Sequence, residues 1–377
     1  MKKREDGRYA KQIMLGYKPN GSRKMKTVYG KTIKEVEMKE REIRNKIDEG
    51  IDVFNENMKV KEWATQWLSV YKTNVENGTY LMYENCVKNH IIPTIGNITL
   101  SQLKPIQIQS AINDIIAKGN TRTAQIYKVT ITQIVKQAVA EDLMIKNVCE
   151  NLEKIKRQKK EKRVLTDFEK KCIKLAEYAD DERLFLDIMY YTGMRRGEVL
   201  ALTAGDINKE RMTISVNKSL DITNVKSRIK DTKSTAGNRE IPIPTILFKQ
   251  LMKYISNRKS LYLFTTAKGE MMSRSAFRRM WERIIQKTSD VAEKIKSEMN
   301  EYELIMLPDE AISFSPHVFR HTYATSLYYA GIDLKKCQYL LGHSSVSITL
   351  EIYTHLDNIN NNKSTEMIND FFNKQCQ

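Results

Sequence analysis

A strongly charged segment, residues 152–163, constrains how the rest of this chain can fold. It reads Leu-Glu-Lys-Ile-Lys-Arg-Gln-Lys-Lys-Glu-Lys-Arg, and most of its side chains are charged. Such a run offers little apolar surface to bury, so it is typical of a linker between folded units. With 377 residues, the chain is long enough for two or three domains with separate cores. We therefore predict a multidomain protein with a basic linker over 151–163.

Residues 1–55 predict a small unit made of a β-hairpin and one helix. Tyr9–Tyr17 and Lys24–Gly30 are the predicted strands, and a Pro-Asn-Gly turn joins them. Thr32–Glu35 matches a capping box, which starts a helix that ends before Gly50. Basic side chains occur on both strands, so the hairpin either lies on a polyanion or is simply solvated.

Residues 56–150 predict a compact bundle of four helices. The first helix carries apolar residues at helical spacing: Trp63, Trp67, Leu68 and Tyr71. These residues are expected to pack in a core rather than to stack on bases. A second helix begins at Thr79 and ends before Pro93, because proline disfavours continuation of a helix. Two further helices fit Lys104–Lys118 and Thr121–Glu141.

Residues 164–377 predict a third unit that is mixed α/β but mostly helical. A second capping box at Thr166–Glu169 starts it. Helices are predicted over Asp167–Tyr178 and Asp181–Thr192. Short strands are predicted near Met212–Val216, Arg239–Ile243 and Leu261–Phe264. The chain as a whole is therefore predicted to be mainly α-helical, with a small N-terminal sheet.

Two helices are predicted near the end of the third unit. Ser315 is the expected N-cap of the first, with Pro316 at its first position and Gly331 at its end. Asp333 caps the second helix, which ends at Gly342. The region between the strands and these helices is also expected to be helical.

The charge of the chain points to a nucleic-acid partner. The formal net charge is +17 and the isoelectric point is about 9.4. Release of counterions from a polyanion drives binding by such proteins. The linker could be merely solvated, but it joins two units of a basic protein. We therefore expect it to follow a phosphate backbone.

Cysteine spacing and hydropathy indicate a reduced, cytoplasmic protein. The five cysteines occur singly, so we expect neither disulfides nor a structural zinc site. The first residues are polar and show no signal peptide. No apolar run approaches the ~20 residues that are needed to cross a bilayer.

A set of side chains in the third unit suits attack on a phosphodiester. His317 and Arg320 lie at i and i+3 near the start of a helix, so they share a face at the positive end of its dipole. His343 follows the glycine that ends the next helix. Tyr353 offers a hydroxyl that can hold a phosphoryl group covalently. A tyrosine with its ordinary pKa of ~10 needs a base or nearby positive charge, and this cluster supplies both.

Arg195 lies in the segment Thr-Gly-Met-Arg-Arg-Gly-Glu, just after a predicted helix that ends at Gly193. Such a turn can aim a guanidinium, which binds several phosphate oxygens at once. Glu198 is expected to hold an arginine or to cap this turn. Taken singly, each of these residues is more often a packed or surface residue. Their ordered combination is specific.

One ordered set of residues resembles the tyrosine recombinase (phage integrase) family: Arg195, His317, Arg320, His343 and Tyr353. The sequence TGMRRGEVLAL at 192–202 is similar to the first arginine box of that family, and HVFRHTYAT with LGHSSVSITLEIYTH resembles the second. The family also carries a lysine in a β-hairpin. TKSTAGNREIPIP at 232–244 matches that pattern with Lys233, although Lys226 and Lys230 lie nearby.

The resemblance extends to the first two units. Residues 1–55 are similar to the arm-site DNA-binding domains of integrases from temperate phages and integrative conjugative elements. Residues 56–150 resemble the core-site-binding domain of the family, and 164–377 resemble its catalytic domain with a C-terminal tail helix. Asn147-Val148 stands where the family often has Asn-Pro, and the stretch 288–308 is longer than usual, with no functional account.

The resemblance implies a reaction that uses no metal or other cofactor. Tyr353 would attack the scissile phosphate and form a 3′-phosphotyrosyl bond, which frees a 5′-hydroxyl. Arg195, Arg320 and His343 would hold the non-bridging oxygens and stabilise the transition state. The covalent bond conserves the energy of the phosphodiester, so ATP is not required either.

Two further residues are implied to handle protons. Lys233 would protonate the leaving 5′-oxygen, and His317 would help to manage the proton of the attacking hydroxyl. A 5′-hydroxyl from partner DNA would then reverse the step, and two rounds through a Holliday junction would exchange the duplexes. The implied partners are double-stranded DNA core and arm sites, a homotetramer, a directionality factor and a host DNA-bending protein.

Three alternatives remain beside an integrase of a mobile element. A chromosome-dimer resolvase or a type IB topoisomerase would share the chemistry, but neither is expected to carry the basic N-terminal unit. A DNA-binding protein without catalysis would not need the whole residue set. The tail, Ser364–Lys374, is a predicted amphipathic helix that packs on its own domain or, as the resemblance favours, docks on a neighbouring protomer.

Overall fold

The computed structural model describes residues 1, 3–17, 22–48, 57–156, 163–223, 227–231, 237–258, 260–300, 312–347 and 349–350. The chain divides into two compact units, Met1–Lys159 and Lys160–Gln377. The regular structure in these ranges is mostly helical, with small antiparallel sheets. The predicted mainly helical class is confirmed. The finer division of the first unit into 1–55 and 56–150 stays a prediction.

The first unit begins with an antiparallel hairpin and a helix. Strands β1 (Tyr9–Tyr17) and β2 (Arg23–Gly30) pair along their lengths, and helix α1 (Ile33–Asp48) packs on both. A small core lies between them: Ile13, Val28, Val36 and Ile43. The Thr32 hydroxyl accepts a hydrogen bond from the Glu35 amide at 3.2 Å, as expected of an N-cap. The predicted turn at 19–21 and Gly50 lie outside the described residues.

The rest of the first unit is a helical bundle with its own core. Its helices are α2 (Val60–Tyr71), α3 (Asn77–Cys86), α4 (Ile92–Ile95), α5 (Pro105–Ala117) and α6 (Thr121–Ala140). Trp63, Trp67 and Leu68 are buried as predicted. Tyr71 is not, because its ring lies at the surface, where its hydroxyl donates to the Glu141 carboxylate at 2.6 Å.

The prediction that a helix ends before Pro93 is wrong. Helix α3 continues as a π-helical segment, Val87–Ile91, and then as α4. Pro93 stands in the first turn of α4. Ile91 and Ile92 have helical dihedral angles, so the chain is helical up to Pro93, and the missing amide hydrogen falls where the hydrogen-bond pattern changes from π to α.

The second unit contains seven described helices and two antiparallel sheets. The helices are α7 (Asp167–Leu175), α8 (Asp180–Thr192), α9 (Arg196–Leu200), α10 (Thr245–Ser256), α11 (Arg274–Ser297), α12 (Pro316–Tyr329) and α13 (Leu334–Leu341). The strands are β3 (Ile207–Asn208), β4 (Thr213–Val216), β5 (Lys218–Asp221), β6 (Arg228–Asp231) and β7 (Arg239–Pro242). One sheet has the order β3-β4-β7, and β5 pairs with β6. Helix α8 is buried along most of its length in a core that both α12 and β4 line.

Two expectations for this unit need correction. Leu261–Phe264 is not a strand, because only Tyr262 forms a bridge, to Thr203, while Leu263 and Phe264 bury their side chains in the core. Helix α7 ends at Leu175 rather than Tyr178, since the backbone at Ala176 is extended. Helix α11 runs to Ser297, so much of the stretch 288–308 continues that helix. Residues 301–308 lie outside the described ranges.

The ends of α12 and α13 bear out most of the predicted caps. Pro316 occupies the first turn of α12, but the Ser315 side chain makes no capping hydrogen bond. The Asp333 carboxylate accepts from the Lys336 amide at 2.9 Å and caps α13. Gly342 ends α13 in the left-handed conformation, with φ 61°.

No helix among the described residues is long and apolar enough to span a membrane. Four cysteines lie within those residues and are buried: Cys86, Cys149, Cys172 and Cys337. Cys376 lies outside them.

Candidate active site

The turn between α8 and α9 aims Arg195. Helix α8 ends at Gly193, whose φ of 60° is left-handed, and a Cβ there would lie only 2.4 Å from the Tyr323 ring. Only glycine meets both demands without strain. Met194 is then fully buried, and Arg195 becomes the N-cap residue of α9. The turn is therefore fixed on both sides of the guanidinium.

Glu198 holds Arg195 in two ways. One carboxylate oxygen accepts the backbone amide of Arg195 at 2.9 Å, and the other accepts its Nη1 at 2.8 Å. Both roles expected of Glu198 are confirmed. Burial alone would raise the pKa of this carboxyl, but hydrogen bonds and charge from Arg239 and Arg195 lower it overall. The remaining terminal nitrogen of Arg195 donates to the Gly342 carbonyl at 2.9 Å.

Arg320 reaches the same place from α12. Its side chain is buried and donates to the Gly193 carbonyl at 2.9 Å and to the Leu341 carbonyl. Burial, followed by the charge of Arg195, lowers the pKa of Arg320 to about 9. The group therefore remains charged at neutral pH, beside a second guanidinium.

His317 lies on α12 with Arg320, and its side chain is exposed at the surface. Partial desolvation, followed by the positive charges of Arg320 and Arg195, lowers the pKa of His317 below its ordinary 6.5. The imidazole is consequently neutral at neutral pH and can accept a proton. The ring centroids of His317 and His321 are 6.2 Å apart.

His343 is held in a buried position just after α13. Its Nδ1 lies 2.9 Å from the Thr349 hydroxyl, and its amide donates to the Gln338 carbonyl at 3.1 Å. The Gln338 side-chain amide in turn donates to the His343 carbonyl at 3.0 Å. These contacts fix both the backbone and the ring, which is what a phosphate donor of defined direction requires.

The structure thus brings together four of the six predicted site residues: Arg195, His317, Arg320 and His343. Lys233 and Tyr353 lie outside the described residues, as does Lys226. Lys230 Nζ lies 2.6 Å from the Asp221 carboxylate on the neighbouring strand. That ion pair favours Lys233 over Lys230 as the hairpin lysine of the site.

Arg239 was not predicted as a site residue. Its side chain is fully buried and pairs with both oxygens of Glu198, at 2.7 and 3.3 Å. The sequence carried one signal for it, a basic residue at the first position of a strand whose alternate residues are apolar.

The electrostatics of the cluster suit an anion with several oxygens. Arg195 and Arg239 both pair with Glu198, whereas Arg320 donates to backbone carbonyls, so these four described side chains together carry excess positive charge. Phosphate and planar guanidinium groups match in geometry. No group of His, Cys, Asp or Glu side chains in the described part of the chain is arranged to hold a metal ion.

The cluster has the charge and the donors that suit a phosphate, and it lies in a mainly helical protein of two compact units. The chain belongs to the phage integrase family of tyrosine recombinases, enzymes that cleave DNA and transfer its strands. The family pattern matches residues 157–359, and the pattern for the N-terminal SAM-like domain of phage integrases matches residues 59–116.

Relatives extend this match over nearly the whole chain. A tyrosine recombinase XerC-like protein of Caldanaerobacter subterraneus is 27% identical and aligns with 97% of this chain and 96% of its own. The ICEBs1 integrase of Bacillus subtilis is 22% identical, over 94% and 95%. The fold is similar to that of the Tn1549 transposon integrase in complex with a circular intermediate DNA. That match has a TM-score of 0.65 and 23% identity, and covers 78% of this chain and 95% of the other.

Proposed function

We propose that this tyrosine recombinase integrates and excises a mobile element through a covalent 3′-phosphotyrosyl intermediate on DNA. One observation carries the proposal. Arg195, Arg320 and His343 converge on a single turn, where the two guanidiniums bind the Gly342 and Leu341 carbonyls that directly precede His343. Charge that develops on a phosphate held there meets donors that are already in position.

His317 completes the described part of the cluster. Because its pKa is lowered, it is neutral at physiological pH and can take a proton from the attacking hydroxyl, directly or through water. The same positive surroundings that lower its pKa also favour a tyrosinate over a neutral tyrosine.

Tyr353 is the nucleophile in this proposal, and Lys233 is the general acid. The tyrosine oxygen bonds to phosphorus while the bond to the 5′-oxygen breaks, and Lys233 supplies the proton that the 5′-oxygen takes up. Attack by a 5′-hydroxyl of the partner duplex reverses these bond changes. The support for both roles is the family membership and the residue patterns at 232–244 and 341–355.

The proposed substrate is a pair of attachment sites, each with core and arm sequences. The Tn1549 transposon integrase has a similar fold, and the ICEBs1 integrase aligns over 94% of this chain, so that alignment reaches into the basic N-terminal unit. We assign arm sites to 1–55, core sites to 56–150 and catalysis to 164–377. A homotetramer, a directionality factor and a host DNA-bending protein complete the proposed assembly, which works on nucleoid DNA in the cytosol.

A suicide substrate tests the proposal. DNA at the ends of the element that carries the gene supplies the attachment site, which is nicked close to the cleavage position so that the released fragment diffuses away. The wild-type protein is expected to accumulate a covalent complex that survives denaturing electrophoresis. Tyr353→Phe removes one hydroxyl and should bind the DNA with unchanged affinity but form no complex.

The possible results separate the alternatives. Binding without any covalent complex by the wild type would support a DNA-binding protein that lacks catalysis. Relaxation of supercoiled DNA of any sequence would indicate a topoisomerase. Strand exchange between chromosomal sites, with no strand exchange at the ends of the element, would indicate a chromosome-dimer resolvase.

A further inference from the structure

Arg239 is a charged side chain near the site that uses nearly all of its hydrogen-bond donors. It begins strand β7, and its guanidinium has no exposed surface. Nη1 and Nη2 donate to the two oxygens of Glu198, Nη1 donates also to the Gly237 carbonyl at 3.0 Å, and Nε donates to the Leu340 carbonyl at 2.8 Å. A guanidinium has five N–H groups, so almost all of its donors are used.

Stability alone is a weak reason for this arrangement. A buried ion pair loses the hydration of both charges, and apolar residues of similar volume often serve a fold as well or better. The partners of Arg239 are more informative than its burial. Glu198 accepts four hydrogen bonds, two from Arg239 and two from Arg195, so the position of one arginine sets that of the other.

The contact with Leu340 links Arg239 to the rest of the cluster. Three consecutive carbonyls at the end of α13 each accept from a different arginine: Leu340 from Arg239, Leu341 from Arg320 and Gly342 from Arg195. Carbonyls at a helix C-terminus lack intrahelical partners and carry partial negative charge, so guanidiniums satisfy them well. His343 is the next residue in the chain.

We propose that Arg239 is a positioning residue for DNA cleavage, which holds Arg195 through Glu198 and the turn before His343 through Leu340. Because Arg239 also donates to the Gly237 carbonyl, one buried side chain links the start of β7 to Arg195 and to the turn before His343. The inference rests on the proposed cleavage function. It adds a residue whose guanidinium is fully buried and which sets the geometry of the residues proposed to bind the phosphate.

The test compares four proteins on the nicked attachment site: wild type, Arg239→Lys, Arg195→Lys and the double variant. Lysine keeps the charge at 239, but a single nitrogen cannot bind both Glu198 oxygens and the Leu340 carbonyl. We expect Arg239→Lys to bind DNA normally and to form the covalent complex roughly 10²-fold more slowly, the cost of a misplacement of about 1 Å. In the double variant the loss should be much smaller than the product of the two single losses, because both act through Arg195.

The control is Arg211→Lys. Arg211 pairs at 3.8 Å with Glu240, the neighbour of Arg239 on β7, and both side chains are exposed. This variant should cleave at the wild-type rate. Rates are compared well below the melting midpoint of each protein, so that all are folded. If Arg239→Lys does not fold, Arg239→Gln, which can still donate to Glu198, replaces it.

Two results would overturn the inference: a folded Arg239 variant that cleaves at the wild-type rate, or single losses that multiply fully in the double variant. Failure of the proposed function looks different. In that case the wild-type protein itself would form no covalent complex, whatever the variants do.

Discussion

Arg195 and Arg320 contact the same turn but are held differently. Arg195 is about two-fifths exposed and shares its donors between Glu198 and the Gly342 carbonyl. Arg320 is buried and donates to carbonyls on two separate segments, at Gly193 and Leu341. The first is therefore arranged mainly to bind a ligand, whereas the second also joins α8 to α13.

Replacement by lysine should separate these roles. Arg195→Lys and Arg320→Lys both keep a charge but lose the planar fork, so each is expected to cleave far more slowly while still forming some covalent product. Only Arg320→Lys should also lower the free energy of unfolding, by roughly 1–3 kcal/mol, because it leaves a buried carbonyl without a partner. Single-turnover cleavage and thermal unfolding measure the two effects. Equal melting midpoints for the two variants would contradict this division.

The lowered pKa of His317 predicts how cleavage responds to pH. The neutral imidazole is the active form, so the rate should fall in acid with a midpoint below pH 6.5, as the folded imidazole protonates. A single-turnover pH profile measures this. A rate profile with its midpoint above pH 6.5 would mean that desolvation and the neighbouring arginines do not set the pKa of His317.

The same shift predicts a loss of stability in acid. Unfolded His317 binds a proton near pH 6.5, whereas the folded residue does so only at lower pH, so the unfolded chain is favoured as pH falls through that window. His317→Gln should remove this contribution. The free energy of unfolding, measured with denaturant at neutral pH and again below pH 6, should differ less between the two pH values for the variant than for the wild type. If the two proteins lose the same free energy of unfolding in acid, the loss does not come from His317.

Residue types and spacing were enough to predict the candidate site residues that lie on a helix, but not Arg239. His317 and Arg320 stand out because a helix places i and i+3 on one face. Arg239 gives little signal, because its partners Glu198 and Leu340 are remote in sequence and meet it only through the packing of β7 against α13. Contacts of that kind depend on tertiary structure, which local patterns do not encode.

At the scale of elements, the site depends on how α8, α12 and α13 meet. Gly193 ends α8 directly beneath the Tyr323 ring of α12, and Gly342 ends α13. Both helix ends were predictable from glycine alone. The passage of the helix through Pro93 was not, because it required knowing that a new helical turn starts just before the proline.

Gly193→Ala should disturb both stability and cleavage. The added methyl group strains a left-handed residue and meets the Tyr323 ring, so α12 and with it Arg320 must shift. Gly269→Ala is the matched control, since its φ is +79° and nothing lies within 4 Å of the new atom. Thermal unfolding should show a loss for Gly193→Ala roughly 1–3 kcal/mol greater than for the control. Equal losses would mean that the Tyr323 ring of α12 moves away from the new methyl group at no cost in stability.

At the scale of the whole molecule, the proposed function assigns cleavage to the second unit and recognition of DNA sites to the first. Positive charge is spread along the chain, which carries 63 Lys and Arg against 46 Asp and Glu. The N-terminal hairpin and the helical bundle have separate small cores. These features suit a protein that holds DNA at several places.

Removal of residues 1–55 should leave cleavage of a core site intact and abolish binding to distal arm sites. Footprinting of a full attachment site checks this. The dependence of binding on salt should also become less steep, because fewer phosphates are neutralised. A truncated protein that still protects distal sites would contradict the assignment of the first unit.

The identity of the residue that becomes linked to DNA is the most direct test of the account. Covalent complex formed on the nicked site is digested with protease and nuclease, and the peptide that retains a nucleotide is sequenced by mass spectrometry. The account predicts a 3′-phosphotyrosyl bond on Tyr353, and no modified peptide from the Tyr353→Phe protein. A nucleotide on any other residue, or linkage through a 5′-phosphate, would contradict it.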